Sequence, residues 1–123
     1  MSDFTTLERA AMHAIFAESP SLQAQLQDQA EKATITSREN TGGGFFTRIS
    51  TPPTCGSITS RSPLGGDVYA RVDGLKYGMG FLLFLEEGRI CLLEGFAFGP
   101  ENTKPIAFEA VGFEITDGAG LSS

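Results

Sequence analysis

The sequence predicts an α+β fold, an N-terminal helical hairpin or kinked helix packed on a mainly antiparallel sheet of five or six strands. Three observations carry this. Up to Ala33 the apolar residues recur at helical spacing. From Thr34 onward β-branched residues gather and the period changes to that of strands. "GFLLFLEEGRICLLEGFAF", residues 80–98, then sets two apolar runs around a short polar stretch containing Gly88, the pattern of a central hairpin.

The elements follow in order. Thr5 and Glu8 have the spacing of a capping box, in which hydroxyl and carboxylate each satisfy a free backbone amide. Phe4, Leu7, Ala11, Ala14 and Ile15 share one face beyond it, which predicts a helix to about Ala17. Ser19 can cap a second helix with Pro20 at its first position, and Leu22, Leu26, Ala30 and Ala33 make its stripe. Strands are expected at Thr34–Asn40, Phe45–Ser50, Asp67–Val72, Gly78–Leu85, Ile90–Phe98 and Ala107–Ile115. Val68, Ala70 and Val72 alternate with Tyr69 and Arg71, as in a sheet with one wet face. The whole chain, 1–123, reads as one globular domain: helical over 1–33, sheet over 34–116, and a flexible tail over 117–123.

Three consecutive glycines, Gly42–Gly44, raise the question of a phosphate cradle. Such a loop needs a helix behind it, whose free amides and dipole meet the anion. Here "FFTRIS" follows, with the look of a strand and no Lys-Ser/Thr pair. "GMG" at Gly78–Gly80 fails in the same way, because "FLLFL" follows it. The glycine run is read as a turn.

Composition narrows the function classes. The net charge is −6, and residues 86–123 carry Arg89 and Lys104 against seven acidic side chains. An acidic C-terminal third disfavours nucleic acid, which needs a basic stripe, and anionic membrane surfaces alike. The start shows no secretory signal, the longest apolar run is Phe81–Leu85, and the two cysteines are expected to be free thiols, so a soluble cytoplasmic protein is expected. Ten Phe against two Tyr and no Trp read as core-building.

No pair of residues announces catalysis. His13, the one histidine, falls opposite the apolar stripe and should face solvent, which disfavours a Cys-His pair or a histidine metal site. Cys91 reads as a small core residue. Cys55 lies in the long connection Thr51–Gly66, which is either functional or mobile. Glu94 interrupts an apolar strand. Alternation puts Cys91, Leu93 and Gly95 on one face and Ile90, Leu92, Glu94 and Phe96 on the other. Arg38 or Glu39 is the expected neighbour of Glu94 across the sheet, and an Arg38–Glu94 pair would be structural in most proteins. Neither catalytic residues nor metal ligands nor a cofactor are assigned.

"SRENTGGGFFT" (residues 37–47), "GDVYARVDGL" and "GMGFLLFLEEGRICLLEGFAFG" (residues 78–99) resemble a family of small uncharacterised bacterial proteins. Its members carry a Ser-Arg-Glu-x-Thr-Gly-x-Gly-Phe motif and a Gly-Phe-x-Leu-Phe hairpin that ends in Leu-Glu-Gly-aromatic. The resemblance covers most of the chain after Ile35 and implies a cytoplasmic α+β domain with no established activity. Family members often have Trp-Pro in the final loop, where this chain has "ENTKPIAF".

Two readings follow. The first is a non-catalytic protein-interaction or self-assembling module, binding a protein partner or pairing with itself through sheet edges as a homodimer. The second is a small-molecule-binding protein or enzyme. Its pocket would take polarity from Arg38, Glu39 and Glu94 and walls from Phe45, Phe46 and Phe96.

Overall fold

The computed structural model describes residues 3–117. Two helices, α1 (Thr6–Ala17) and α2 (Gln23–Lys32), precede six strands: β1 (Thr34–Asn40), β2 (Gly44–Ser50), β3 (Val68–Val72), β4 (Met79–Glu86), β5 (Arg89–Ala97) and β6 (Phe113–Asp117). The strands form one sheet in the order β1-β2-β5-β4-β3-β6, every neighbouring pair antiparallel. This is the expected α+β arrangement.

The α1 start is the capping box predicted: Glu8 N–H donates to Thr5 Oγ1 at 3.1 Å, and Thr5 N–H donates to Glu8 Oε1 at 2.8 Å. The second helix begins later than expected. Pro20 sits in a turn, where Leu22 N–H donates to the Ser19 carbonyl, and the helix starts at Gln23 with no side-chain cap. The expected strand over 107–112 is likewise absent. Ala110 N–H donates to the Ala107 carbonyl in a turn, and Phe108 drops inward against Phe45 at 5.0 Å between ring centres, so only the end of that stretch pairs as β6. Residues 118–123 of the expected tail lie outside the described residues, and Asp117 ends β6.

Both helices cover one face of the sheet, here the inner face. Leu7, Ala11, Met12, Ile15, Phe16 and Leu26 meet Phe45, Ile49, Val68, Ala70, Val72, Met79, Phe81, Leu83 and Leu93 in one core. Gln29 of α2 is buried with them and fully used: its amide donates to the Gly56 and Gly88 carbonyls, and its oxygen accepts from Ile90 N–H. Residues 51–66 are also tied down, contrary to a free loop. Ile58 and Leu64 are buried, Thr51 Oγ1 donates to the Ile90 carbonyl, and Leu64 pairs with Leu83.

The β4–β5 hairpin turns at Glu87 (φ 52°) and Gly88 (φ 74°), two successive residues in the left-handed region, as a tight hairpin requires. A register shift between Phe84 and Leu85 pairs Leu85 with Ile90. This bulge changes the alternation read from the sequence: Ile90 is buried in the core, and Cys91 is half-buried with its thiol against the Phe84 carbonyl.

Candidate functional site

The residues singled out in the sequence fall on opposite faces of the sheet. Register decides this. Arg38 pairs with Thr47 and Phe45 with Gly95, all on the inner side, while Glu39 pairs with Phe46, Phe46 with Glu94, and Glu94 with Leu82 on the outer side. The six do not converge on one pocket.

Arg38 does not meet Glu94. It reaches across to α1, where Nε and Nη2 each donate to the Glu8 carboxylate at 2.9 Å, and Nη2 also donates to the Asp3 carbonyl. Glu8 is enclosed, its side chain 4% exposed against 40% for Arg38. Thr47 Oγ1 and the Thr5 amide complete its shell. Burial works to raise the Glu8 pKa; the hydrogen bonds from Arg38, Thr47 and Thr5 outweigh it, and the carboxyl ends below its ordinary value. The sequence pointed to Glu8 only as a cap. Nothing in its spacing showed that one carboxylate would cap a helix and anchor a strand 30 residues away.

Beside this pair lies a cleft of about 120 Å³, lined by Arg38, Glu39, Asn40, Phe45, Ile106 and Phe108 among others. It is small against the ~300–1,000 Å³ of ordinary ligand pockets. Arg38, Glu8 and Asn40 are engaged there: Asn40 Nδ2 donates to the Thr103 and Ile106 carbonyls, and Asn40 Oδ1 accepts from Thr103 Oγ1 and Gly42 N–H. The glycine run is the β1–β2 turn, as expected. Thr41 N–H donates to the Gly44 carbonyl, while the Gly42 and Gly43 amides are taken by the Asn40 and Thr41 side chains. An anion would find those amides occupied.

The outer face is built differently. Phe46, Leu82, Phe84, Leu92, Phe96 and Phe98 stand apart from the inner core, each partly exposed. Phe96 and Phe98 meet edge to face at 5.5 Å, and Tyr69 lies 5.5 Å from Phe98. These rings cover Gly80, where an added Cβ would stand 2.6 Å from Phe96 Cζ and 3.1 Å from Phe98 Cζ. Tyr77, 57% exposed, marks the rim of a cleft of about 430 Å³ that continues from Tyr69 and Phe98. Four of the ten Phe thus lie outside the core they were expected to build.

Charge on this face is sparse and central. Arg48 faces outward opposite Leu92, and Glu94 opposite Phe46, so the two sit diagonally on neighbouring strands. Neither side chain makes a hydrogen bond or ion pair among the described residues, whereas Arg71 and Glu114 at the far side approach each other at 3.8 Å. His13 is exposed, as its position on α1 required. Among the described residues no cluster of His, Cys, Asp or Glu could hold a metal ion, and no helix is long and apolar enough to cross a membrane.

Comparison with family models, curated proteins and solved structures finds no significant match to this chain.

Proposed function

We propose that this protein is a non-catalytic interaction module whose working surface is the outer face of its sheet. One observation carries the reading. Strands β4 and β5 are apolar on both sides, a pattern that belongs to strands covered on both faces. Among the described residues, the helices cover the inner face alone. An apolar sheet face rimmed by polar groups is what a protein partner buries.

The β1 edge suits association less well. Strand β1 carries a register shift between Ile35 and Ser37 and the charged pair Arg38 and Glu39, features that blunt an edge against strand addition. The small-molecule reading retains the cleft beside Arg38, but its small volume, with Arg38, Glu8 and Asn40 already engaged, gives a ligand little room. The cytoplasmic setting and the kinship with small bacterial proteins carrying the same Ser-Arg-Glu and Leu-Glu-Gly stretches belong to this same proposal.

The test is a photo-reactive side chain placed at Phe84, compared with one at the exposed inner-side position Glu109, in cells of the source organism. The interaction reading expects a covalent protein adduct from position 84 and none from 109. Absence of any adduct from 84, in a chain that remains folded, would overturn it.

A further inference from the structure

Resting on that reading, we propose that the occupant of the outer face is a second copy of this chain, packed sheet to sheet across a two-fold axis. Arg48 of each copy meets Glu94 of the other.

Size is the first argument. Six strands at ~4.8 Å, with eight-residue pairing at ~3.4 Å along the central hairpin, give a platform of order 500 Å² in projection. The relief of Phe46, Phe84, Phe96 and Leu92 raises its accessible area toward the ~800 Å² that each partner contributes to a standard interface.

Charge is the second. The chain as a whole is acidic at −6, and a strongly basic partner would answer that acidity. The outer face does not share it: Arg48 lies among Glu39 and Glu94, and Arg71 answers Glu114. A face whose apolar side chains surround one Arg48–Glu94 diagonal, and whose charges nearly balance, complements itself better than it complements a basic surface.

Symmetry is the third, and it fixes a register. A two-fold interface requires that if residue i meets j, then j meets i. Arg48 and Glu94 are one strand and one two-residue step apart, roughly 4.8 Å across and 6.8 Å along. The axis that exchanges them runs between the two, close to Phe46 and Leu92, the other corners of the same quadrilateral. Phe46 and Leu92 then each pack against their own copies. The strands of the two sheets cross at ~70°, nearer the orthogonal class of sheet packing than the aligned one. The dimer has four layers, helices outside and two sheets within. Each Glu94, unpartnered in the single chain, gains a guanidinium in a partly desolvated setting, as does each Arg48.

Sedimentation of the purified full chain over micromolar to sub-millimolar concentrations tests this, with Arg48→Glu, Glu94→Arg and the double exchange beside it. The expected result is a dimer weakened at least about tenfold by either single reversal and restored by the double, since like charges are created and then removed at two equivalent places. A monomer at all concentrations overturns the self-pairing. So does a dimer indifferent to all three variants, which would use another surface. The photo-reactive probe at Phe84 separates the two levels. A two-chain adduct agrees with self-pairing. An adduct of any other mass overturns it and leaves the interaction reading standing, and no adduct removes both.

Discussion

The two faces of the sheet solve the same local problem in opposite settings. On the inner face the ring of Phe45 lies over Gly95; on the outer face the rings of Phe96 and Phe98 lie over Gly80. Inside, Phe45 is itself held by Phe81 and Phe108, and the buried carboxylate of Glu8 is fully partnered. Outside, the rings are partly exposed, and the central carboxylate, Glu94, has no hydrogen bond or ion pair among the described residues. The contrast separates a face whose polar groups are satisfied within the described residues from one whose polar groups are not. Along β4 and β5 both faces carry apolar side chains; what differs is whether the polar groups among them are satisfied.

Paired substitutions break or sharpen this comparison. The largest difference is expected for deletion of a central side chain. Phe81→Ala, fully buried, should cost about 3–5 kcal/mol in chemical denaturation. Leu82→Ala, its neighbour on the outer face, should cost under about 1 kcal/mol at concentrations where the chain is monomeric. Equal costs would mean that the outer face is already covered.

A methyl group on each covered glycine comes next. At Gly95 a Cβ would stand 2.8 Å from Phe45 Cζ and 2.9 Å from Met79 Cε, and neither has room to withdraw. Gly95→Ala should therefore destabilise by about 1–3 kcal/mol. At Gly80 the obstructing rings are half-exposed and can swing outward, so Gly80→Ala should cost less than Gly95→Ala. Under the proposed self-pairing it should also reshape the outer surface and weaken the dimer, readable by sedimentation.

The carboxylates give the third pair. Glu8→Gln should lose about 1–3 kcal/mol at neutral pH, because Arg38 and Thr47 lose a charged acceptor. Because the Glu8 pKa in the folded chain is lowered, its contribution is fully present above its ordinary value of 4.5 and is lost as pH falls through the folded value. The Tm gap between the wild type and Glu8→Gln should hold steady at neutral pH and close on acidification below 4.5. Glu94→Gln should leave monomer stability within about 0.5 kcal/mol. The smallest effect concerns Cys91, whose thiol burial and the nearby Glu86 push up. It should alkylate slowly at neutral pH, since the thiolate is the reacting form, and a rate matching that of a free thiol would contradict its placement at the bulge.

Much of this fold was legible because its signals are local. The Thr5–Glu8 box, the turn at Gly88 and the glycine run at 42–44 each depend on residues within four positions of one another. The misread parts depend on bonds and contacts, near and far, that the residue pattern does not carry. Pro20 looks like a helix start until Leu22 bonds back to Ser19, and residues 107–112 look like a strand until Phe108 is drawn onto Phe45. Site residues were harder still. Arg38, Glu39, Phe45, Phe46, Glu94 and Phe96 were placed on strands, but the strand order was not legible: β2 separates Arg38 and Glu39 from Glu94, and a strand shows alternate residues to opposite sides. Which side meets the helices is set by the whole core. The bulge at Phe84–Leu85, which moves Ile90 inward, leaves no trace in the pattern of a continuous apolar run.

Gln29 has a consequence for the order in which the molecule opens. Helix α2 buries little beyond Leu26 and this one amide, whose three hydrogen bonds all go to residues at or near the 56 and 88–90 turns. Those bonds bridge 27 to 61 positions of chain, so α2 docks only onto a hairpin that already exists. A helix held mainly by this polar latch should be the part that opens first. Its amide protons should exchange with solvent through a local opening well below the free energy of global unfolding, while those of β4 and β5 wait for the whole sheet to come apart.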